Sequence, residues 1–210
     1  MFDFFIGLLF FVSSFSFSEF IEIESCDNDD SFSIVCGFQN PEDLYLSPSQ
    51  NKIIISEFGS LAPNTKYGKI SFYDLVTESK GIPNFLYEEN TWGDPKCELK
   101  SRLLSPHGID LIQRDDGRYM LAVVNHLPSE SIELFELVEN DSIELIWRGC
   151  IDAPENKYFN DVALKTDGSF YITHMYDFDS SQWAIAFASM IKNTTGEVYF
   201  WNVEEGFASV

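Results

Sequence analysis

Basic residues are scarce in this chain. Its 210 residues include 13 Lys and Arg against 34 Asp and Glu, which gives a formal net charge of −21. A surface with this excess of negative charge repels phosphate groups, so nucleic acid is excluded as a partner. The same repulsion argues against docking on anionic lipid, and membrane association is compatible with the chain but not indicated. Solubility explains such an acidic surface, unless some carboxylates hold cations.

Cysteine is also rare, and the four that occur, Cys26, Cys36, Cys97 and Cys150, never stand in a CxxC pair. The spacing therefore gives no support to a zinc site or a redox motif. An even number of cysteines in an exported chain suggests disulfides, with three possible pairings. We expect Cys97 to pair with Cys150. The alternative is four buried thiols.

A single long apolar run occurs, at the very start of the chain. Residues 4–18 are apolar with small residues at the end, too short for a comfortable membrane span but typical of a secretory signal. The flank before it is atypical, since it contains Asp3 and no Lys or Arg. We predict a signal peptide over 1–18 and export, periplasmic or extracellular, of a domain over 19–210. The alternatives are an N-terminal anchor or a first strand of the domain.

What the chain does contain is a series of short β-rich runs bounded by turn residues. Turn sequences such as "RDDGR" and "KTDGS" predict hairpins between some of them. The predicted strands are Ile53–Glu57, Lys69–Leu75, Gly108–Ile112, Tyr119–Asn125, Ile132–Leu137, Ile143–Trp147, Asp161–Leu164, Phe170–His174 and Val198–Val203. The chain is therefore predicted to be all-β.

Three segments look like copies of one unit: "NPEDLYLSPSQNKIIISE", "SPHGIDLIQRDDGRYMLAVVNH" and "YFNDVALKTDGSFYITHM". Repeats of roughly 50 residues with about four strands each predict a β-propeller, in which equivalent positions converge on a central channel. The polar residues before the inner strands are Glu42, His107 and Asn160. Asp follows two of them, as Asp43 and Asp161.

Oxygen ligands around one channel are those that Ca²⁺ prefers, and a histidine at the same level could act as a general base. The alternative is that these polar residues only form turns, as Asn and Asp often do before strands. The repeat by itself leaves both interpretations open.

One segment breaks the β pattern. Residues 179–193 read as a helix, with Asp179 or Ser180 as N-cap. Trp183, Ala184, Phe187 and Ile191 form an apolar stripe at helical spacing. We expect this helix to pack on the face of the propeller. The alternative is a lid over the channel that binds apolar substrate or membrane.

The motifs "NPEDL", "SPHGI", "VVNH…SIELFEL" and "FNDVAL" follow one another in an order that resembles the paraoxonase/arylesterase family. That family is related to the gluconolactonase and senescence-marker propellers. The resemblance covers roughly residues 35 to 210. It implies a six-bladed β-propeller with two calcium ions, one catalytic and one structural, and hydrolysis of small-molecule lactones and aryl esters.

The resemblance also assigns roles to residues. Glu42 and Asn160 match ligands of the catalytic calcium. Asp43 and Asp161 match ligands of the structural calcium, to which Ile109 would add its backbone carbonyl.

The same resemblance gives roles to two histidines. His107 matches the proposed general base and His126 its supporting partner. His174 stands where the family often has Asn, and Met175 where it often has Asp, so His174 receives no role.

Length sets a further expectation. Six blades of about 50 residues need roughly 300 residues or more. We therefore expect the chain to supply about four blades, as the N-terminal part of a longer protein, and to be an inefficient enzyme alone. Two other functions stay open: a sugar-lactone hydrolase of the gluconolactonase type, and a non-catalytic propeller that binds a ligand.

Overall fold

Thirteen strands and one short helix form the regular secondary structure of the described residues. The computed structural model describes residues 33–60 and 66–210. The predicted signal peptide over 1–18 and Cys26 lie outside the described residues. Residues 37–210 form one compact unit, and the thirteen described strands and the described helix belong to it.

The strands form three sheets, and each sheet is built mainly from neighbours in the sequence. Sheet 1 contains β1 (Pro41–Leu46), β2 (Lys52–Glu57), β3 (Lys69–Asp74) and β4 (Ser79–Gly81). Sheet 2 contains β5 (Asn84–Tyr87), β6 (Pro106–Gln113), β7 (Tyr119–Asn125), β8 (Ser131–Glu139) and β9 (Ile143–Asp152). Sheet 3 contains β10 (Lys157–Leu164), β11 (Phe170–Asp177), β12 (Glu197–Asn202) and β13 (Gly206–Ser209), and the helix α1 spans Gln182–Met190.

All nine predicted strands are confirmed, each within a few residues of its expected bounds. The predicted strands did not include β1, β4, β5 and β13, although the repeat placed an inner strand after Glu42. These four are the shortest or most exposed strands of the fold. Strand β5 pairs in parallel with β9, about 60 residues further along the chain, so no local pattern could reveal its partner.

The two predicted hairpins close with the same turn. In "RDDGR" the Arg114 N–H donates to the Arg118 carbonyl at 2.9 Å, and in "KTDGS" the Lys165 N–H donates to the Ser169 carbonyl at 2.8 Å. Gly117 and Gly168 have φ of 84° and 90° in these turns, a region that favours glycine. The equal turns support the repeat seen in the sequence.

The described residues form two hydrophobic cores, one on each side of sheet 2. Successive residues of a strand point to opposite faces, so β7 supplies both. Leu121 and Val123 pack in the core shared with sheet 1, while Met120 and Val124 pack in the core shared with sheet 3. All four side chains are fully buried, and each such burial stabilises the fold by about 1.5–3 kcal/mol.

The first antiparallel strand of each sheet lies at the same side of the assembly. Strand β6 contacts both β1 and β10, so the three edge strands run next to one another. Three sheets joined in this way fit a β-propeller-like, all-β fold. The number of blades, six in all and about four in this chain, stays a prediction.

The predicted disulfide between Cys97 and Cys150 is confirmed. It ties the segment before β6 to the end of β9, across a sequence separation of 53 residues. Both cysteines lie in the core between sheets 1 and 2. The bond therefore fastens a long irregular connection onto the sheet that carries the predicted histidines.

The predicted helix is present but shorter, and two expectations about it are wrong. Its N-cap is Ser181, whose hydroxyl accepts from the Ala184 N–H, rather than Asp179 or Ser180. None of its residues is buried, and the Trp183 side chain is 87% exposed. The helix therefore does not pack on a sheet face, because no described element lies against its apolar stripe. Within residues 33–60 and 66–210, no helix has the length and apolar character needed to cross a membrane.

Candidate active site

The three polar repeat positions meet at one end of the adjacent edge strands. Glu42 lies on β1, His107 on β6 and Asn160 on β10. The Glu42 carboxylate lies 3.3 Å from Nε2 of His107. On the other side, Gly108 packs directly against the Asn160 carbonyl. The side-by-side arrangement of the edge strands brings these residues together, as the repeat predicted.

His126 completes a histidine pair with His107. It follows the end of β7, the strand that pairs with β6, and its Nε2 lies 3.0 Å from Nδ1 of His107. The two rings are 5.1 Å apart between centroids. The side chain of His126 has no solvent-exposed surface, while that of His107 is 18% exposed. His107 is thus the member that can meet a ligand, and His126 stands behind it.

Two aromatic residues hold the rings in place. Phe58 lies 5.5 Å from both imidazoles, and Tyr158 stacks on His126 at 4.3 Å between centroids with an interplanar angle of 3°. Burial, and then the negative charge of Glu130, raise the pKa of the Tyr158 phenol far above its usual value. Tyr158 is therefore a neutral, flat support that fixes the plane of the His126 ring.

The environment of His107 favours its neutral form. Burial lowers the pKa of His107, and the electrostatic interaction with His126 lowers it further, while Glu42 and Asp43 act in the opposite direction. A neutral imidazole has one bare ring nitrogen that accepts a proton. His107 can therefore act as a base near neutral pH.

Behind the histidines, the aspartates of the edge strands form a ladder of hydrogen bonds. Oδ2 of Asp43 accepts from the Ile109 N–H at 2.8 Å, and Oδ2 of Asp110 accepts from the Leu164 N–H at 2.7 Å. Each bond links one sheet to the next. Asp43 and Ile109, both expected at the structural calcium, are therefore neighbours.

Asp161 joins this group as a third carboxylate. Although it reaches solvent, desolvation by the surrounding protein raises its pKa, and the charges of Asp43 and Asp110 raise it further. No Lys or Arg among the described residues forms a salt bridge with any of the three. A carboxylate whose pKa is raised by neighbouring carboxylates, with no paired cation, favours a bound metal ion.

The chemistry of the surrounding donors fits a hard cation. Glu42, Asp43 and Asp161 supply carboxylate oxygens, and the Asn160 amide makes no hydrogen bond to another described residue. In the described part of the chain, no three His, Cys, Asp or Glu side chains converge closely enough to form a metal site by themselves. A calcium site would therefore also need amide and backbone carbonyl oxygens, such as those of Asn160 and Ile109, which calcium commonly uses.

His174 stands apart from the dyad. It is buried, and its Nδ1 lies 3.2 Å from both the backbone N–H and the carbonyl of Tyr158. A ring nitrogen with these partners is a structural group, which agrees with giving His174 no role. Its contact supports the strand that carries Tyr158.

Glu130 is the main site residue that the sequence analysis missed. Its Oε1 lies 2.7 Å from Nδ1 of His126, and its side chain is only 9% exposed. A histidine and a glutamate four residues apart in a loop have no fixed distance or orientation, in contrast to a helix. The spacing of His126 and Glu130 therefore gave no reason to expect a contact between them. Asn125 sets the turn between them, because its amide donates to the Leu127 carbonyl and to Ser131 Oγ.

Comparison with known proteins adds one match. A protein-family model described as Arylesterase matches residues 39–206 of the chain. A comparison with curated proteins found no significant match. The matched segment contains all seven predicted site residues, from Glu42 to Asp161.

Proposed function

Since this chain belongs to the arylesterase family, and so to a family of ester hydrolases that act on small molecules, we propose that it is a calcium-dependent hydrolase of lactones and aryl esters. One observation supports the proposal most directly. His107, whose environment favours the neutral imidazole, lies 3.3 Å from the Glu42 carboxylate and 3.0 Å from the buried His126. This arrangement places a proton acceptor at the edge of an oxygen-rich site.

In the proposed reaction, Nε2 of His107 takes a proton from a water molecule as the water oxygen attacks the ester carbonyl carbon. The tetrahedral intermediate then breaks its bond to the leaving alkoxide or phenoxide. The leaving alkoxide or phenoxide takes the proton from His107 and departs as the alcohol or phenol, so His107 returns to its neutral form. His126 holds the His107 ring through the Nδ1 contact throughout.

Calcium ligands are proposed in two groups. Glu42 and Asn160 would hold a catalytic ion, and Asp43, Asp161 and the Ile109 carbonyl a structural one. When bound, a calcium ion supplies electrostatic stabilisation of the negative oxygen that develops on the carbonyl. The crowding of Asp43, Asp110 and Asp161 supports a cation at this end of the strands.

We also infer that the protein acts outside the reducing cytoplasm. The Cys97–Cys150 disulfide supports this inference, because disulfides persist mainly in oxidising compartments. Secretion through the segment over 1–18 is proposed on the sequence alone. N-terminal sequencing of the protein after expression with and without an export pathway would test cleavage near Ser18.

The function is tested with a substrate panel in calcium and in EGTA. Phenyl acetate, an alkyl-substituted lactone and gluconolactone separate the arylesterase, lactonase and sugar-lactone activities. We expect His107→Gln to lower kcat by about 10²- to 10⁴-fold, the usual contribution of general base catalysis. His174→Gln is the matched control, since it removes the histidine outside the dyad and should leave calcium-dependent turnover measurable.

Two results would contradict the proposal. Turnover of an ester by His107→Gln at the wild-type rate would remove His107 as the base. Calcium binding without hydrolysis of any panel member would favour a non-catalytic propeller that binds a ligand.

A further inference from the structure

Four side chains form a row through the candidate site, with a carboxylate at each end and the two histidines between. The row runs Glu42, His107, His126, Glu130, with successive contacts of 3.3, 3.0 and 2.7 Å. Each contact joins a ring nitrogen to an oxygen or to another ring nitrogen. The hydrogen bonds of the row can therefore be donated toward Glu130 or toward Glu42. Which of the two occurs depends on which ring nitrogens carry the protons.

Two neutral imidazoles carry two ring protons, but the row has three contacts. If Nδ1 of His126 donates to Glu130, its Nε2 is bare and accepts from Nδ1–H of His107. Nε2 of His107 is then the bare nitrogen. In the opposite direction, His107 donates to Glu42, and the bare nitrogen is Nδ1 of His126, facing the Glu130 carboxylate at 2.7 Å.

The geometry at the two ends favours the first arrangement. The Glu130 contact, at 2.7 Å, is 0.6 Å shorter than the Glu42 contact, at 3.3 Å, and the Glu130 side chain is 9% exposed against 37% for Glu42. A bare nitrogen against a buried carboxylate is repulsive in a medium of low dielectric constant. At the exposed Glu42 end, a water molecule can donate to both acceptors and remove the conflict.

The backbone and ring contacts also fix Glu130 and His126 more firmly than Glu42. The Glu130 carbonyl accepts from the Ala153 N–H at 3.1 Å, and Oε2 receives a longer contact from the Phe159 N–H at 3.4 Å. Tyr158 stacked on His126 holds the plane of the imidazole. Glu42, by contrast, lies on an exposed strand.

We propose that Glu130 is a positioning residue that keeps the proton on Nδ1 of His126 and thereby leaves Nε2 of His107 as the bare, proton-accepting nitrogen of the site. Glu130 touches neither substrate nor reacting water, and it acts through two rings. The effect of Glu130 on the tautomers of the two histidines does not depend on the proposed hydrolase function, whereas its effect on turnover rests on that function.

The test compares three variants of the full chain. Glu130→Gln keeps the size of the side chain and an acceptor but removes the charge, so it tolerates either tautomer of His126. Glu130→Asp keeps the charge but is one methylene shorter. Glu155→Gln is the control, because Glu155 lines the same surface cavity of about 1110 Å³ as Glu130 yet lies on its exposed side.

The first readout is ¹⁵N NMR of the imidazoles, which distinguishes protonated from bare ring nitrogens. The chain has only three histidines, so single His→Gln variants assign every signal. We expect a protonated Nδ1 on both His107 and His126 in the wild type and in Glu155→Gln, and a mixture of tautomers in Glu130→Gln. Identical tautomers in wild type and Glu130→Gln would overturn the proposal.

The second readout is the separation of kcat from KM. Loss of a charge-assisted hydrogen bond predicts a decrease in kcat of about 10- to 100-fold for Glu130→Gln with KM little changed, and a smaller decrease for Glu130→Asp. An unchanged kcat would overturn the catalytic part. If the wild type hydrolyses no ester, the proposed function fails, and the NMR comparison alone decides the role of Glu130.

Discussion

Gly108 packs so closely on Asp161 that a Cβ at position 108 would lie 2.5 Å from the Asp161 Cα and 2.5 Å from its Oδ1. No real side chain tolerates this distance to backbone atoms. The absence of a side chain at Gly108 therefore allows β6 and β10 to approach each other. Because Gly108 stands between His107 and Ile109, this approach sets the spacing of the candidate site.

We expect Gly108→Ala to disturb the site, although the substitution adds only one methyl group. The added methyl group must push β10 away from β6, and overpacking of this kind costs about 1–3 kcal/mol. Urea unfolding would measure the loss, and ester turnover should fall in the same variant. Gly196→Ala is the control, since its Cβ would meet only the His174 carbonyl, at 3.1 Å. Equal losses in both variants would contradict a special role for Gly108.

The carboxylates around Asp161 predict opposite effects of one substitution with and without calcium. Asp161→Asn removes one of three charges that repel one another, so the melting temperature in EGTA should stay equal or rise. The stabilisation by calcium should shrink, because a ligand charge is lost. Saturation at 100 times Kd is worth about 2.7 kcal/mol, and a tenfold weaker site gives about half of that.

Differential scanning calorimetry in EGTA and in a calcium series measures both effects. Asp141→Asn provides a matched control, because Asp141 is exposed in the turn between β8 and β9. A calcium response in Asp161→Asn equal to that of the wild type would exclude Asp161 as a ligand.

The convergence of Glu42, His107 and Asn160 could be predicted because register repeats: equivalent residues of equivalent strands reach the same level of a sheet assembly. The contact of the Glu130 side chain with His126 could not be predicted. It depends on the conformation of the loop after β7, which the hydrogen bonds of the Asn125 side-chain amide determine. The stripe containing Trp183 and Phe187 correctly predicted a helix. The periodicity of a sequence describes only the surface of the helix itself, so it could not show whether another element covers the apolar stripe. None of the described residues covers it.

The Cys97–Cys150 disulfide should stabilise the fold mainly by restricting the unfolded chain. For a loop of 53 residues, chain entropy predicts a contribution of about 4 kcal/mol, and measured values commonly fall between about 2 and 4. The double substitution Cys97→Ala and Cys150→Ala should lower the free energy of unfolding by about 2–4 kcal/mol. Chemical denaturation of the oxidised wild type and the double variant measures it, and equal midpoints would contradict the prediction.

Glu139 clamps the turn between β1 and β2 onto sheet 2. Its Oε1 accepts from the hydroxyls of Ser47 and Ser49 at 2.9 and 2.7 Å, and its Oε2 accepts from the Ser49 N–H at 2.9 Å. Lys52 lies 3.4 Å away. Burial by itself raises the pKa of Glu139, but the bonds from Ser49 and Ser47 and the charge of Lys52 outweigh it and lower the pKa.

A carboxyl group with a lower pKa in the folded than in the unfolded state stabilises the fold above the unfolded pKa, about 4.3 for Glu. That contribution is lost as the pH falls through the folded value, because both states then bind the proton. Glu139→Gln should therefore lower the free energy of unfolding by about 1–3 kcal/mol at pH 7, and by less below about pH 4. Urea denaturation between pH 7 and pH 3 tests this against Asp141→Asn. A difference between wild type and Glu139→Gln that stays constant over this range would mean that packing, rather than the ionised carboxylate, holds the two sheets together at this point.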